Sequence, residues 1–456
     1  MTEEPLSVVH GASELVLGPA DGAYRYRGPP DDSVRDPAGD ESAVDEPVVD
    51  EPVVDESDAD ADTGTLPGAA AVLEVVENGA FAAVDGTVVA AGPTDAVLAE
   101  YPLADADLAI DAGGRAVLPG FVDAHTHALF AGDRSDEFEA KLRGVSYQEL
   151  LASGGGIHRT VRATREADAR TLEANLRRHL DRMLAHGTTT VEVKSGYGLD
   201  VETERRMLAV LERVDRSHPV RVVPTFMGAH AVPEGTDADA YVDAVIEEQL
   251  PAVAEQGIAR FCDVFCETGV FDVEQSRRVL EAGLEHGLTP KVHAEELSHL
   301  GGTRLAAEVG AASADHLLHS TPEDVAALVA ADVTPILLPG TAFGLGAEYA
   351  DARGMLAAGA PVALASDFNP NCYSQSMQFA MALGCLEMGL TPAEAVAAGT
   401  ANAAAGLDLS DGTGTLRPGA PADAVILREP SHAHVPYNVG VNTVERVLRR
   451  GEIVHA

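Results

Sequence analysis

Between Arg115 and Asp367 the chain repeats one pattern: an apolar run of seven to twelve residues, then a stretch that is polar or amphipathic. Eight runs read as strands: AVLPGFVDAHTH (116–127), TTTVEVKSGYG (188–198), VRVVPTFMGAH (220–230), RFCDVFCE (260–267), TPKVHAEE (289–296), SADHLLH (313–319), TPILLPG (334–340) and PVALASD (361–367). Stretches such as ARTLEANLRRHLDRMLAHG (169–187) and SRRVLEAGLEHG (276–287) separate several of them and carry apolar residues at helical spacing. A strand that is apolar at nearly every position is covered on both faces, and its alternation with helices implies parallel pairing through crossovers. Eight such units fit an α/β fold, a (β/α)8 TIM-like barrel, to which we assign residues 113–409. Thr391-Pro392-Ala393-Glu394 has the form of a helix start, a capping box with proline at the first helical position.

Outside this region the period changes. SELVLGP and AVLEVVENGAFAAVDGTVVAAG, within residues 5–28 and 70–112, alternate apolar and polar positions around glycine turns, as β-hairpins do. PADAVIL and TVERVLRRGEIV return to the same pattern after residue 410. The expectation is a small β-sandwich built from segments 1–112 and 410–456. Within the first segment, Pro29–Pro67 contains DEPVVDEPVVDES, whose valines are isolated among like charges. So little to bury predicts a disordered acidic insertion at about 29–67.

Charge narrows the class of partner. The chain has 31 basic and 73 acidic side chains, a formal net charge of −42. Phosphates are met by Lys and Arg, so so acidic a chain is not expected to bind nucleic acid. No cationic run suits an anionic membrane surface, and no window holds ~18 uninterrupted apolar residues. The start, MTEEPLSVVHG, lacks the layout of a signal peptide. Four cysteines, Cys262, Cys266, Cys372 and Cys385, are too few and too uneven for a disulfide framework. A cytoplasmic, globular protein is the expectation. Residues 31–62 carry a net of −13, which leaves −29 on the remainder. Only three basic residues are lysines, Lys141, Lys194 and Lys291, so the other 28 are arginines. An acidic surface of this density repels itself in dilute salt and is screened at molar salt, which reads as adaptation to a high-salt cytoplasm.

The polar residues inside the predicted strands cluster at their C-terminal ends, where barrel enzymes build their sites. Run one ends in His125-Thr126-His127, run three in His230, run five contains His293-Ala294-Glu295-Glu296, run six holds His316 and run eight ends in Asp367. Alternation along a strand aims His125 and His127 to one side. With His293 and Asp367 at equivalent ends they offer three nitrogens and one carboxylate oxygen, a donor set for one divalent ion, Zn or Fe, with a position left for water. Glu296, three residues beyond His293, is placed to take and return a proton. Glu295 beside it is expected to be structural. His316 is either a further ligand or a group that orients the nucleophile and polarises a carbonyl. Lys194 invites comparison with the carboxylated lysine of two-metal sites, but those place it on strand four, where this chain has Glu267. Gly154-Gly155-Gly156 is followed by no Lys-Ser/Thr and reads as a lid turn rather than a phosphate loop.

LPGFVDAHTHALFAGDR, GGGIHRTVRATRE, EVKSGYGLD, TFMGAHAVP, DVFCETGVF, KVHAEE, SADHLLH and SDFNP together resemble the imidazolonepropionase family of the amidohydrolase superfamily, from about residue 112 to the end. HTH alone would indicate only the superfamily. The resemblance implies hydrolysis of the cyclic amide of 4-imidazolone-5-propanoate to N-formimidoyl-L-glutamate in histidine degradation. It also implies one metal on His125, His127, His293 and Asp367, and a homodimer. The family's substrate contacts fall on Arg134, for the carboxylate, and on Tyr197, His230, Glu296 and Asn369. A propanoate group suits a guanidinium fork. The family usually continues SDFNPGS, and here Asn371 and Cys372 replace the Gly and Ser, which puts those two substrate contacts in question. The competing readings are a nucleobase-type deaminase of the same superfamily and a non-catalytic barrel used as a scaffold. A neutral base would need no arginine, and a scaffold would be expected to lose ligands.

Overall fold

The computed structural model describes residues 5–20, 72–145 and 154–456. The expected acidic insertion lies outside the described residues. The strands before the barrel are β1 (Leu6–Pro19), β2 (Leu73–Val84), β3 (Thr87–Pro93), β4 (Leu108–Asp111) and β5 (Val117–Pro119). The barrel strands are β6 (Phe121–Asp123), β7 (Thr188–Lys194), β8 (Arg221–Ala229), β9 (Phe261–Cys266), β10 (Thr289–Ala294), β11 (Ser313–His316), β12 (Thr334–Leu337) and β13 (Ala363–Leu364). They pair in parallel in chain order. Beyond the last strand the chain turns back onto the first: Asp367 N–H donates to the His125 carbonyl at 3.1 Å, and His127 N–H to that of Phe368 at 2.9 Å. The contacts that close the barrel therefore run between candidate ligands.

The helices form where the sequence provides both a cap and a stripe. Asp168 accepts a hydrogen bond from Thr171 N–H at the start of helix 169–185, and Leu172, Leu176, Leu180 and Met183 bury one face at roughly 1.5–3 kcal/mol each. Thr391 and Glu394 form the expected capping box. Inside the barrel, Val122, Val223, Phe261, Ile336 and Ala363 from five strands pack with Ala403, Ala404 and Leu407.

Run 116–127 serves two sheets. β5 pairs with β1 and with β14 (Ala424–Leu427), whereas β6 belongs to the barrel. Gly120 stands between them, and a Cβ there would lie 2.2 Å from Thr189 Oγ1. β15 (Val444–Arg449) and β16 (Glu452–His455) complete one mixed sheet of order β16-β15-β14-β5-β1-β2-β3, with β4 on β1. Val9, Leu15, Phe81, Ile110, Leu416, Ile426 and Leu448 share a core within it. The N- and C-terminal segments thus form one module beside the barrel. No helix among the described residues is long and apolar enough to cross a membrane.

Candidate active site

At the C-terminal mouth of the barrel, His125 and His127 leave the end of β6, His293 and His316 lie in β10 and β11, and Asp367 follows β13. Their ligating atoms converge. His127 Nε2 is 3.3 Å from His293 Nε2, and Asp367 Oδ1 is 3.5 Å from His125 Nε2 and 3.7 Å from His127 Nε2. Atoms bonded tetrahedrally to one ion at ~2.0–2.2 Å stand roughly 3.3–3.6 Å apart, so this spacing fits a single ion. His125 Nε2 and Asp367 Oδ1 are buried and have no hydrogen-bond partner among the described residues. Ligand atoms of His125, His127 and His293 lie within 4.8 Å of one another, as do those of His125, His316 and Asp367, so donor type and spacing suit a metal ion, with His316 a further candidate ligand.

Hydrogen bonds on the far side of each ring fix which nitrogen faces the centre. His125 Nδ1 donates to Asp315 Oδ2 at 2.6 Å and His293 Nδ1 to Asp263 Oδ1 at 3.1 Å. Each bond leaves the Nε2 lone pair directed inward. Burial, reinforced on His125 by the charge of Lys194, holds His125 and His316 well below the usual imidazole range. His127 is lowered in the same way by burial and by His230. The lowering favours the neutral imidazole, which is the form that ligates a metal. Thr341 Oγ1 donates to the other oxygen of Asp367 at 2.5 Å.

Glu296 stands beside this cluster, with Oε2 3.7 Å from His316 Nε2. Burial, with the carboxylates of Asp367 and Glu267 nearby, pushes its carboxyl up to about 8. His230 stacks on His127 with centroids 4.7 Å apart, and the Tyr197 ring lies 5.2 Å from His230. The Gly196 carbonyl accepts His230 Nδ1–H at 3.0 Å, leaving Nε2 as an acceptor; burial holds this imidazole at about 3. Gly196 has φ 96°, and a Cβ there would lie 2.8 Å from the Met227 carbonyl, so the close approach needs glycine.

A second group lines the rim. Arg134 precedes helix 135–142, and its Nε donates to Glu137 Oε2 at 2.8 Å. Its two terminal nitrogens donate to no described residue. The other Glu137 oxygen accepts Gly156 N–H at 3.1 Å, so the glycine run is tied to Arg134 and begins helix 157–166. Lys141, on the same helix as Glu137, donates to Asn371 Oδ1. Asn369 organises its own turn: its Oδ1 accepts Asn371 N–H at 2.7 Å and Cys372 N–H at 3.0 Å. The Cys372 thiol lies beneath the loop, 3.7 Å from the Ser366 carbonyl.

Glu295 is structural, as expected. It has φ 50°, and its buried carboxylate accepts the N–H groups of Gly301 and Gly302 at 2.7 Å and of Thr303 at 2.6 Å. Glu267 accepts Leu297 N–H at 2.9 Å on one oxygen, and Thr268 N–H at 2.8 Å and the Ser298 hydroxyl on the other, which ties both oxygens to the loop after Glu296. The pattern of strand ends misses Asp263, Asp315, Glu192, Lys291, Glu137 and Thr341. For the first four the available signal is a charged residue inside an otherwise apolar strand, which is rare unless paired. Lys194 is ion-paired rather than aimed at the donor cluster: its Nζ lies 2.7 Å from Glu192 Oε1 and 2.6 Å from Asp263 Oδ2, and although burial opposes its charge these carboxylates raise its pKa.

The amidohydrolase family profile matches residues 116–454. Relatives named imidazolonepropionase include one from Haloarcula marismortui, 69% identical over 84% of this chain and 91% of its own length. Another, from Halobacterium salinarum, is 57% identical over 98% of this chain and 97% of its own. Among solved structures, E. coli guanine deaminase superposes with a TM-score of 0.65 at 15% identity, covering 99% of both chains. A zinc-bound adenosine deaminase from Xanthomonas campestris gives 0.64 at 17%, over 83% of this chain and 89% of its own; these two share the fold. With the family profile spanning most of the chain and relatives this similar over nearly its whole length, the chain belongs to the amidohydrolase family and, within it, to the imidazolonepropionases.

Proposed function

We propose that this chain opens the ring of 4-imidazolone-5-propanoate by hydrolysing its cyclic amide to N-formimidoyl-L-glutamate. The observation that carries the proposal is the meeting of two overlapping donor groups, His125–His127–His293 and His125–His316–Asp367, beside a carboxyl group, Glu296, whose pKa burial raises to about 8. These four residues would hold one divalent ion, zinc or iron, and when bound it supplies Lewis-acid polarisation and acidifies water. Metal analysis of protein purified without chelator distinguishes the two elements.

The chain's own residues do the rest. Glu296 takes the proton of the attacking water and returns it to the departing ring nitrogen; a carboxyl with a pKa near 8 is suited to carrying that proton at neutral pH. His316, in contact with Glu296, orients the water and the scissile carbonyl. Arg134 receives the propanoate carboxylate on its two terminal nitrogens while Glu137 holds Nε. His230 Nε2 accepts a ring N–H, Tyr197 packs beside it, and Asn369 shapes the loop that covers the product, with Asn371 at its rim. The deaminase reading is not favoured, because the deaminases share only the fold whereas relatives at 57% and 69% identity are imidazolonepropionases.

Freshly generated 4-imidazolone-5-propanoate is the test substrate, followed by loss of its ultraviolet absorbance. Turnover that chelator abolishes and added metal restores supports the reading. No turnover by metal-replete protein would overturn it.

A further inference from the structure

Behind the mouth lies a cluster of charges that the reaction does not touch. Lys194 Nζ donates to Glu192 Oε1 at 2.7 Å and to Asp263 Oδ2 at 2.6 Å, and lies 3.8 Å from Asp315 Oδ2. Lys291 Nζ is 3.6 Å from the same Asp315 oxygen and donates to the Ala124 carbonyl at 3.3 Å. All five side chains are fully buried. Taking charges out of water is unfavourable, and apolar replacements of similar volume often do as well or better for stability. The cluster therefore calls for an account other than stability.

We propose that Lys194 is a positioning residue for the metal centre: it sets the orientation and tautomer of the histidines that reach the ion, without touching it. This rests on the metal reading above. Each carboxylate that Lys194 meets has a second task at a candidate ligand. Asp263 accepts from His293, and Asp315 accepts from His125. Glu192 accepts Thr126 N–H at 3.3 Å, and its carbonyl accepts Thr126 Oγ1–H at 2.6 Å, which fixes the backbone between His125 and His127. Thr225 Oγ1 donates to Glu192 at 2.5 Å and completes its coordination. One ammonium thus joins three supports of three ligands.

Residue choice agrees. Of 31 basic residues only three are lysines, and two of them, Lys194 and Lys291, occupy this cluster. The ion pairs elsewhere are made overwhelmingly by arginine, as in Arg143–Glu139 and Arg449–Asp423. A compact ammonium with three donors fits where three carboxylates from different strands meet, and a planar guanidinium does not.

The test compares full-length wild type, Lys194→Met and Asp263→Asn at molar salt. It measures the dissociation constants of Zn2+ and Co2+ by chelator competition, the absorption bands of the Co2+-loaded protein, and the thermal midpoint of the metal-free protein. Loss of a partner behind a ligand is expected to weaken metal binding by roughly 10- to 100-fold and to alter the Co2+ bands, in variants that are folded without metal. If Lys194→Met does not fold, Lys194→Gln, which keeps a hydrogen-bond donor and removes the charge, carries the test; Asp263→Asn, which alters the direct bond to His293, sets the scale of the effect. Wild-type affinity and bands in a folded variant, with only the thermal midpoint lowered, would overturn the proposal and leave Lys194 structural. Failure of the wild type itself to bind either ion would instead overturn the metal reading.

Discussion

Glu295 and Glu296 are adjacent in the chain, yet one is turned onto a helix start and the other towards the histidine cluster. Glu295, at φ 50°, points its carboxylate back onto the start of helix 302–308 and accepts the N–H groups of residues 300–303. That turn carries Glu296 to within 3.7 Å of His316. One left-handed residue thus sends two carboxylates of identical chemistry in different directions, one onto a helix start and the other to the histidine cluster.

Glu296→Gln keeps the shape of the side chain and leaves the four candidate ligands intact. General acid–base catalysis is worth ~100- to 10,000-fold, so kcat should fall by about that much with metal content unchanged. Glu295→Gln has a different expected outcome. An amide nitrogen in place of one oxygen meets N–H groups that have no other partner, at about 1–3 kcal/mol for each buried group left unsatisfied. The thermal midpoint should drop, and the protein that remains folded should turn over normally. If Glu296→Gln is inert while His316→Ala is dead, the proton carrier is the histidine.

Arg134→Lys keeps the charge but cannot present two parallel donors while a third is held by Glu137. A fall in kcat/KM of roughly 10- to 100-fold is expected, from hydrogen bonds to charged groups of about 1.5–3 kcal/mol, with metal content unchanged. Glu137→Gln should reproduce part of the loss, because it loosens both Arg134 and Gly156. Unchanged kcat/KM in Arg134→Lys would move the carboxylate contact elsewhere.

Salt tests the surface. With −29 formal charges outside residues 31–62, self-repulsion should weaken the fold as the screening length grows from ~3 Å at 1 M to ~10 Å at 0.1 M salt. Thermal midpoints should rise across a series from 0.1 to 3 M potassium chloride. A flat series would remove the high-salt reading.

The barrel and the candidate ligands are legible because they obey strong local rules. A strand rich in valine that ends in His-Thr-His, or in Ser-Asp, announces both its type and its chemically active end. The supports are harder to see. Asp315 directly precedes His316, and the sequence shows only a polar pair; that Asp315 belongs to His125, 190 positions earlier, emerges only when the barrel brings the two together. Glu137 looks like any acidic residue in a helical first turn until the fold brings Gly156 onto it. The division of run 116–127 between two sheets is signalled by Pro119-Gly120, a turn pair that the continuous hydrophobicity around it hides.

The last prediction concerns pH in the metal-free protein, where two sets of buried groups act in opposite directions. His179 and His230 are held by burial at about 4 and about 3, and His125, His127 and His316 are also lowered. In the unfolded chain each would titrate near 6.5. A depressed histidine is neutral in the fold while the unfolded chain takes up a proton, so its stability is present above about 6.5 and is lost as pH falls below it. Glu296 and Asp123 are raised by burial to about 8 and about 7. The unfolded chain releases these protons near 4, so their stability is present at low pH and is lost as pH rises through 7 and 8. The metal-free protein, held at constant molar salt, should therefore have its highest thermal midpoint near pH 6–6.5 and lose stability towards pH 8.5, at up to ~1.4 kcal/mol per pH unit for each proton retained. Glu296→Gln should flatten that alkaline limb. Excess Zn2+ should oppose it, because an ion beside Asp367 and Glu296, both raised by burial, favours their ionised forms and so binds more tightly as these carboxyls lose their protons. Midpoints from pH 6 to 9 with chelator and with Zn2+ should diverge as pH rises; parallel curves would mean that these groups are not coupled to the ion.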